Sequence, residues 1–269
     1  MSIRLFVTDL DGTLLPKGQE VPAANIKAIR DMVNAGVIFT IATGRMYFAS
    51  VEIAKSLGVD VPIITYNGAL IKTVGGEIFY NAYLKPKLII DIANFCKARQ
   101  WHLQSYSNDN LYYPEYNDFA RSYEEVLNIS RGKAIGWDGL CRYTQNVPKL
   151  LIISSSVEET AERIKALKAE FGDQINAIRS NAEYTEITCP EVSKAAAVKI
   201  LADKWNIDNS EVMAIGDSYN DLPMLKAAGH SVAMGNAPDD VKAACEFVTG
   251  DCKDDGFAQA VYKYVLKTG

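Results

Sequence analysis

The chain has 269 residues, which predicts one large domain or two smaller ones, because a single core becomes hard to extend at roughly 250–300 residues. Hydrophobic residues make up 48% and charged residues 23%, as in an ordinary globular protein. The formal net charge of -5 gives no electrostatic reason to expect nucleic acid or an anionic membrane as a partner, and no apolar run reaches the roughly 20 residues that span a bilayer.

Cysteine usage and the N-terminal residues both favour a cytoplasmic protein. The five cysteines are scattered and odd in number, and they show no C-x-x-C spacing, so we expect neither a disulfide framework nor a zinc site. The first apolar stretch is short and ends in acidic residues, unlike a signal peptide. No sequence feature predicts an oligomeric state.

The N-terminal part of the chain predicts alternating strands and helices. Apolar runs predict strands within 3–8, 37–45 and 61–71, and apolar residues at helical spacing predict two helices that end at Gly36 and Gly58. These strands are apolar throughout rather than alternating. This pattern is typical of a parallel sheet covered by helices, so the predicted fold class is α/β.

The rhythm changes after Tyr83. A helix, a hairpin with Asn108-Asp109-Asn110 at its turn, a helix over 156–171 and two short strands follow. This mixture predicts an inserted α+β domain at 85–184. The α/β rhythm returns beyond it, so 1–84 and 185–269 are predicted to form one catalytic core.

Polar clusters follow four predicted strands of the core. They are Asp9–Thr13, Thr43–Arg45, Asn67-Gly68 and Gly216–Asp221. Ligands of open parallel sheets bind beyond the carboxyl ends of the strands. Each cluster alone is a weak signal, because turns and helix caps use the same residues, but their convergence on one edge predicts a binding site there.

The first cluster indicates a metal site. Asp9 and Asp11 are two residues apart, so their side chains point to the same side provided that the strand persists. Side-by-side carboxylates repel, and Mg²⁺ would relieve the repulsion, with Asp217 as a third acidic group. A solvated turn is the alternative. A calcium loop is excluded because its sixth position is Leu14 rather than glycine.

Other residues of these clusters suit a phosphate group. The hydroxyl of Thr43 and the amide of Asn67 could hold phosphate oxygens together with backbone N–H groups of the Gly44 turn, or could simply cap a helix and form a turn. Arg45 could contact phosphate or pair with an acid. Lys194 lies at a helix start, where the dipole disfavours a cation, so it either binds an anion or is solvated.

The order of these motifs carries a family resemblance. DLDGT, T-G-R at a strand end, a lysine at a helix start and GDSYND resemble the haloacid dehalogenase superfamily of phosphatases. About a hundred residues between the Asn-Gly turn and Lys194 resemble the Cof-type branch. The resemblance implies a Rossmann-like core with an inserted cap that supplies substrate specificity.

The resemblance also implies roles for individual residues. Asp9 matches the nucleophile that forms an aspartyl-phosphate, and Asp11 matches the general acid/base. The implied phosphate-binding groups are Thr43, Lys194, Asn220 and the backbone of Leu10 and Gly44. The implied Mg²⁺ ligands are the carboxylates of Asp9 and Asp217 and the carbonyl of Asp11. Asp221 matches an acid that orients Lys194 or a metal-bound water, with Arg45 and Asn67 as possible supporting residues.

The expected function is therefore Mg²⁺-dependent hydrolysis of phosphate monoesters of small metabolites, with sugar phosphates as the substrate class that the resemblance implies. Two alternatives remain: a phosphomutase that uses the same aspartyl-phosphate, and a phosphometabolite-binding regulator without turnover. Aromatic residues over 101–123 could stack on a substrate, although packing in a small sheet is favoured. His102 and His230 are expected to be structural or surface residues.

Overall fold

The computed structural model describes residues 2–127, 129–130 and 132–268. The chain divides into two compact units, each of which is assembled from separate segments. The first unit contains Met1–Arg45, Ser50–Phe79 and Ser193–Gly269, and the second contains Met46–Ala49 and Tyr80–Val192.

The secondary structure follows the chain in three stretches. The first has β1 (Leu5–Thr8), α1 (Ala23–Asn34), β2 (Ile38–Ile41), α2 (Tyr47–Ser56), β3 (Ile63–Thr65), β4 (Leu70–Lys72) and β5 (Ile78–Asn81). The second has α3 (Pro86–Ala98), β6 (His102–Ser107), β7 (Asn110–Tyr113), α4 (Asp118–Leu127), β8 (Lys133–Ala134), α5 (Gly136–Arg142), β9 (Leu150–Ile153), α6 (Val157–Phe171), β10 (Asn176–Asn181) and β11 (Tyr184–Thr188). The third has α7 (Lys194–Lys204), β12 (Val212–Gly216), α8 (Leu222–Ala227), β13 (His230–Ala233), α9 (Asp239–Ala243), β14 (Phe247–Val248) and α10 (Gly256–Ala260), followed by a π-helical segment, Val261–Leu266.

The first unit is built around a parallel sheet with the strand order β14-β13-β12-β1-β2. Strand β1 lies between β12 and β2, and Leu5 is in register with both Val212 and Ile38. Every residue of β1 and β12 is buried, which explains why their sequences are apolar without alternation. The predicted α/β class with a parallel core sheet is confirmed.

The predicted strand over 61–71 is wrong as a single element. Strands β3 and β4 form an antiparallel pair, in which Ile63 lies opposite Lys72, and a short 3₁₀ turn over 66–68 joins them. Tyr66, Asn67 and Gly68 all have positive φ, at 52°, 58° and 104°. The chain reverses here within an almost unbroken apolar run, so hydrophobicity alone could not reveal the reversal.

The second unit contains a mainly antiparallel sheet in the order β10-β11-β9-β6-β7-β8, in which β7 and β8 are parallel. The predicted hairpin is confirmed: Ser107 pairs with Asn110, and Asn108 and Asp109 form the turn. Their φ angles are 51° and 58°, the left-handed values that a two-residue hairpin turn requires.

A hydrophobic cluster supports this second sheet. Leu150 and Ile152, at alternate positions of β9, are buried members together with Leu103 of β6 and Ile187 of β11, and residues of α3 and α6 pack with them. Strand β11 pairs with β9, so the chain remains in the second unit as far as Val192. The predicted boundary between 184 and 185 falls within this strand, after its first residue.

Two helices of the second unit, α4 and α5, escaped the sequence analysis. The sequence contains one signal for α4, an asparagine at the capping position before the helix. The Asn117 side chain accepts a hydrogen bond from the Ala120 N–H. Most of the aromatic residues over 101–123 pack as expected: Tyr106, Tyr113 and Tyr123 are buried, whereas Tyr116 is exposed. Along the described residues, no helix combines the length and hydropathy that crossing a membrane requires.

Candidate active site

The loop that follows β1 places Asp9 and Asp11 in different surroundings. The Leu10 carbonyl accepts hydrogen bonds from the N–H groups of Thr13, Leu14 and Leu15, so the chain coils immediately after the strand. The expectation that the Asp9 and Asp11 side chains share one side required a persistent strand, but β1 ends at Thr8. Each of these carboxylates instead pairs with its own cation.

Lys194 is the cation that pairs with Asp9. Its Nζ lies 2.5 Å from Asp9 Oδ1 and 2.6 Å from Asp221 Oδ1, and all three side chains are buried. Burial lowers the pKa of Lys194, but the charges of Asp221 and Asp9 outweigh that effect and raise it above the usual value. Of the two alternatives for Lys194, a bound anion or solvation, the structure shows the first, because its ammonium group contacts two carboxylates.

Asp221 holds Lys194 and braces the end of β12. Its Oδ1 accepts the hydrogen bond from Lys194, and its Oδ2 accepts from the N–H groups of Asp217 and Ser218, at 3.1 and 2.9 Å. Both carboxylate oxygens are therefore engaged within the protein. Asp217 in turn accepts a hydrogen bond at Oδ1 from the Thr13 hydroxyl, at 2.8 Å.

The carboxylates of Asp9, Asp217 and Asp221 form a buried acidic cluster, whose possible ligand atoms lie within 4.8 Å of one another. Burial raises the pKa of Asp9 well above its ordinary value, although Lys194 opposes the shift. Burial and repulsion from Asp221 raise the pKa of Asp217 to about 7. Three carboxylates against one lysine leave excess negative charge, which a divalent cation fits.

Arg45 pairs with Asp11 through two hydrogen bonds. Arg45 Nε donates to Asp11 Oδ2 at 2.6 Å, and Nη2 donates to Oδ1 at 2.5 Å. The Arg45 side chain is 8% exposed and that of Asp11 is 27% exposed, so the pair lies at the rim of the buried site. Of the two alternatives for Arg45, it adopts the pairing with an acid, and the Asp11 carboxylate is separate from the acidic cluster.

The remaining predicted residues lie on the neighbouring strand ends. The hydroxyl of Thr43 accepts a hydrogen bond from the Arg45 N–H at 3.1 Å, and its carbonyl accepts from the Asn67 N–H at 3.0 Å. Asn220 donates to Asn67 Oδ1 at 3.1 Å, which connects the third and fourth polar clusters. Gly44 lies in the bend between Thr43 and Arg45. The predicted convergence of strand ends is confirmed.

Two contributors were missed by the sequence analysis. Thr13 belongs to the DLDGT motif, but its hydroxyl was assigned no partner. Asn236 follows β13 at the same edge of the sheet, and its Nδ2 lies 2.9 Å from the Gly12 carbonyl and 3.4 Å from Asp217 Oδ2. The strand-end argument used for the other four clusters would have found Asn236 in SVAMGNA.

A parallel α/β sheet that carries two acids, a buried lysine and a metal-compatible cluster at its carboxyl edge suits the binding of a phosphate group and a divalent cation. Residues 6–261 match the family model described as haloacid dehalogenase-like hydrolase. The chain belongs to this family, as the resemblance of its motifs predicted, and it is a phosphatase of phosphorylated small molecules.

Relatives support the same classification over nearly the full length of the chain. It is similar to the 5-amino-6-(5-phospho-D-ribitylamino)uracil phosphatases YcsE and YwtE of Bacillus subtilis (strain 168). The identities are 30% over 268 residues, with 99% of this chain and 97% of the relative covered, and 29% over 279 residues, with 95% and 96% covered. The crystal structure of a haloacid dehalogenase-like hydrolase from Bacteroides thetaiotaomicron is also similar, with a TM-score of 0.87, 28% identity and coverage of 97% of this chain and 99% of that one.

Proposed function

We propose that this protein hydrolyses phosphate monoesters of sugars or related polyols with Mg²⁺ as its cofactor, through an aspartyl-phosphate on Asp9. The observation that carries the proposal is the buried contact of Lys194 with both Asp9 and Asp221, beside Asp217. This arrangement holds the Asp9 carboxylate in a fixed orientation. It also places the positive charge of Lys194 and a cluster suited to a divalent cation beside Asp9, where both would offset the negative charge of a phosphate monoester.

The first half-reaction uses Asp9 as a nucleophile. An Asp9 oxygen attacks phosphorus, the bond from phosphorus to the leaving oxygen breaks, and the phosphoryl group becomes bound to Asp9 as an acyl phosphate. Lys194 holds Asp9 and reduces repulsion between the carboxylate and the phosphate. The Thr43 hydroxyl, the Asn220 amide and backbone N–H groups at Leu10 and Gly44 are the proposed partners of the phosphate oxygens.

Asp11 is the proposed acid and base. It protonates the leaving oxygen in the first step, and in the second it accepts a proton from the water that attacks the aspartyl-phosphate, which releases inorganic phosphate and restores Asp9. The bidentate contact with Arg45 fixes the orientation of Asp11. Because a carboxyl group that donates a proton cannot keep both oxygens on the guanidinium in the same way, this contact must loosen during the cycle.

The proposed Mg²⁺ ligands are the carboxylates of Asp9 and Asp217 and the main-chain carbonyl of Asp11. When bound, the ion would neutralise the charge of the carboxylates and the phosphate and so favour nucleophilic attack. Asp221 is the less suitable ligand, because its oxygens accept three hydrogen bonds, from Lys194 and two backbone N–H groups, and its side chain is more deeply buried than those of Asp9 and Asp217.

The proposed substrate class rests on the names of similar phosphatases. The similar Bacillus phosphatases are named for a substrate that carries a phosphorylated ribityl chain, which is a polyol phosphate ester. The inserted second unit is the proposed specificity domain.

We place the protein in the cytoplasm, because the scattered cysteines suit a reducing compartment.

The test is a screen of the full chain for release of inorganic phosphate. The panel contains sugar phosphates, polyol phosphates, 5-amino-6-(5-phospho-D-ribitylamino)uracil and p-nitrophenyl phosphate, each with Mg²⁺ and with a chelator, and substrates are ranked by kcat/KM. We expect Mg²⁺-dependent release that is lost in Asp9→Asn. Isomerisation without phosphate release would indicate a mutase, and binding without turnover would indicate a regulator; either result contradicts the proposal.

A further inference from the structure

Asn236 occupies a junction between three segments of the first unit. It follows β13 in a turn in which the Met234 N–H donates to the Gly216 carbonyl and the Gly235 N–H donates to the Gly250 carbonyl. A Cβ at Gly235 would lie 2.8 Å from the backbone nitrogen of Asp251, so a glycine lets this turn approach the neighbouring loop closely. The close approach brings the Asn236 side chain to the edge of the acidic cluster.

The Asn236 amide is fully engaged although the residue is exposed. Its Nδ2 donates to the Gly12 carbonyl at 2.9 Å and to Asp217 Oδ2 at 3.4 Å, while its Oδ1 accepts from the Cys252 N–H at 2.9 Å. Asn236 Nδ2 thus contacts both the loop 9–15, which we call the Asp9 loop, and, at the longer distance, Asp217. The bond to Cys252 fixes the orientation of the amide.

Asp217 is consequently held from two sides. Thr13 donates to Oδ1 and Asn236 donates to Oδ2, and Gly12 packs so tightly that a Cβ there would lie 2.6 Å from Oδ2. One asparagine therefore connects the loop that carries the nucleophile to the acid at the end of β12. A cation bound by both Asp9 and Asp217 would depend on the distance between the Asp9 loop and Asp217.

We propose that Asn236 is a positioning residue that fixes Asp217 relative to the Asp9 loop and thereby strengthens the binding of the divalent cation. The inference rests on the proposed function only in taking Asp9 and Asp217 as ligands. Partners that orient metal ligands commonly contribute 10–100-fold to affinity. A purely structural role, in which Asn236 only joins two loops, would affect stability without this effect.

The chain provides a matched control in Asn25. Its Nδ2 donates to the Leu14 carbonyl at 2.8 Å, and its Oδ1 accepts from the Ala258 N–H at 3.1 Å. Asn25 therefore connects the same Asp9 loop to the C-terminal part of the chain through the same kind of amide bridge, but its recorded bonds do not involve Asp217. The two asparagines differ in the feature that the proposal makes responsible for metal binding.

The experiment titrates the purified full chain with Mg²⁺ alone by calorimetry and by the Mg²⁺-induced increase in Tm. Asn236→Ala is expected to raise the Kd for Mg²⁺ by about 10–100-fold. Asn25→Ala is expected to lower the Tm in chelator and to leave the Mg²⁺ Kd unchanged. Thr13→Val, which removes the donor to the other Asp217 oxygen, is expected to raise the Kd as well, and it carries the test if Asn236→Ala does not fold.

The outcomes separate this inference from the proposed function. An unchanged Mg²⁺ Kd in folded Asn236→Ala, or an equal rise in Asn25→Ala, would overturn the positioning role while leaving the proposed function intact. Absence of Mg²⁺ binding and of Mg²⁺-dependent turnover in the wild-type chain would instead contradict the proposed function, and with it the basis of this inference.

Discussion

The guanidinium of Arg45 contacts both carboxylate oxygens of Asp11, with N–O distances of 2.6 and 2.5 Å. Because Lys194 contacts Asp9, the two acids of the DLDGT motif are separated onto different cations although only one residue lies between them. This separation supports the different roles proposed for them: a nucleophile held by a buried lysine, and an acid/base oriented by an arginine at the rim.

The first prediction is that Arg45 contributes to catalysis through Asp11. Asp11→Asn is expected to lower kcat/KM by about 10²–10⁴-fold for substrates with a basic leaving oxygen, as loss of a general acid does. Arg45→Ala is expected to lower it by about 10–100-fold through misorientation of Asp11, since coupled residues interact by about 0.5–3 kcal/mol. The measurement is a double-mutant cycle in kcat/KM.

In this cycle, Arg45→Ala should cost little once Asp11 is already asparagine, because the arginine acts through that carboxylate. Additive losses would show that Arg45 acts independently, for example by contacting the phosphate itself. A substrate with a weakly basic leaving group, such as p-nitrophenyl phosphate, serves as the internal control, since it needs less protonation and should show smaller losses in both single variants.

The second prediction concerns the buried charges around Lys194. Lys194→Met leaves Asp9 and Asp221 buried without their cation, and removal of one partner from a buried ion pair destabilises proteins by about 3–5 kcal/mol. We expect a loss of that order in the free energy of unfolding, measured by urea denaturation in chelator, together with loss of activity. Lys194→Met combined with Asp221→Asn should recover part of the stability, because one unpaired charge is removed.

If the double variant recovers no stability, unpaired buried charge is not the cause of the stability loss in Lys194→Met. Addition of Mg²⁺ is a further check. A cation bound by Asp9 and Asp217 stabilises the folded chain by mass action. The gain in stability over that in chelator should be larger for Lys194→Met than for the wild-type chain. An equal or smaller effect of Mg²⁺ would argue against excess negative charge in the cluster.

The third prediction concerns the close approach of Gly68 to Ser193, the residue before Lys194. Gly68 has φ of 104°, and a Cβ there would lie 2.3 Å from the Ser193 carbonyl oxygen. Gly36 is a matched control, with φ of 87° and nothing within 4 Å of a Cβ. Gly36→Ala should therefore cost only the backbone strain, about 1–2 kcal/mol in the free energy of unfolding.

Gly68→Ala should cost more than Gly36→Ala, because the backbone of Ser193 must also move. This displacement shifts the start of α7 and hence Lys194, so kcat should fall in the folded Gly68→Ala variant and remain near the wild-type value in Gly36→Ala. Equal stability losses, or full activity in Gly68→Ala, would contradict a role for this contact in placing the lysine.

The fourth prediction concerns the pH dependence of stability through His102, which is 5% exposed in the second unit. Burial, with a smaller contribution from Arg163, lowers the pKa of His102 from 6.5 to about 4. Between these two values the unfolded chain binds more protons, so His102 reduces stability as pH falls from 6.5 towards 4, and it has no such effect above that range. The full effect is roughly 3 kcal/mol, at about 1.4 kcal/mol per pKa unit.

Urea denaturation of the wild-type chain and of His102→Gln at pH 7.5, 5.5 and 4.5 measures this effect. The wild-type free energy of unfolding should fall more steeply with acidification than that of the variant, so the gap between them should change by about 2–3 kcal/mol in favour of the variant. Parallel pH profiles would show that His102 titrates similarly in the folded and unfolded chains. Because other acids titrate equally in both proteins, only the difference between the profiles is interpreted.

Much of the catalytic edge could be predicted from the sequence because a parallel sheet brings the carboxyl ends of distant strands together. Asp9, Thr43 and Asp217 each follow a buried strand, and their convergence needed no knowledge of side-chain positions. Lys194 could be predicted only in part: a cation at a helix start conflicts with the helix dipole, which indicated either a bound anion or a solvated lysine.

The parts that could not be predicted depend on where strands end and how loops coil. The pairing of Arg45 with Asp11 follows from the coil after Thr8, and periodicity gives no sign of that coil. The reversal between β3 and β4 depends on three successive residues with positive φ, two of which are not glycine. The strand-end argument would have placed Asn236 at this edge, but its contact with Asp217 depends on the close packing of Gly235 against a loop near the C-terminus.

The most direct test of the central claim is detection of the phosphorylated enzyme. Acid quenching of the full chain during turnover, followed by peptide mass spectrometry, should show one phosphoryl group on the peptide that contains Asp9, and Asp11→Asn should accumulate it if hydrolysis of the intermediate becomes the slower step. Asp9→Asn should show none and should release no phosphate. Phosphate release at the wild-type rate by Asp9→Asn, or a phosphoryl group on another residue, would contradict the account.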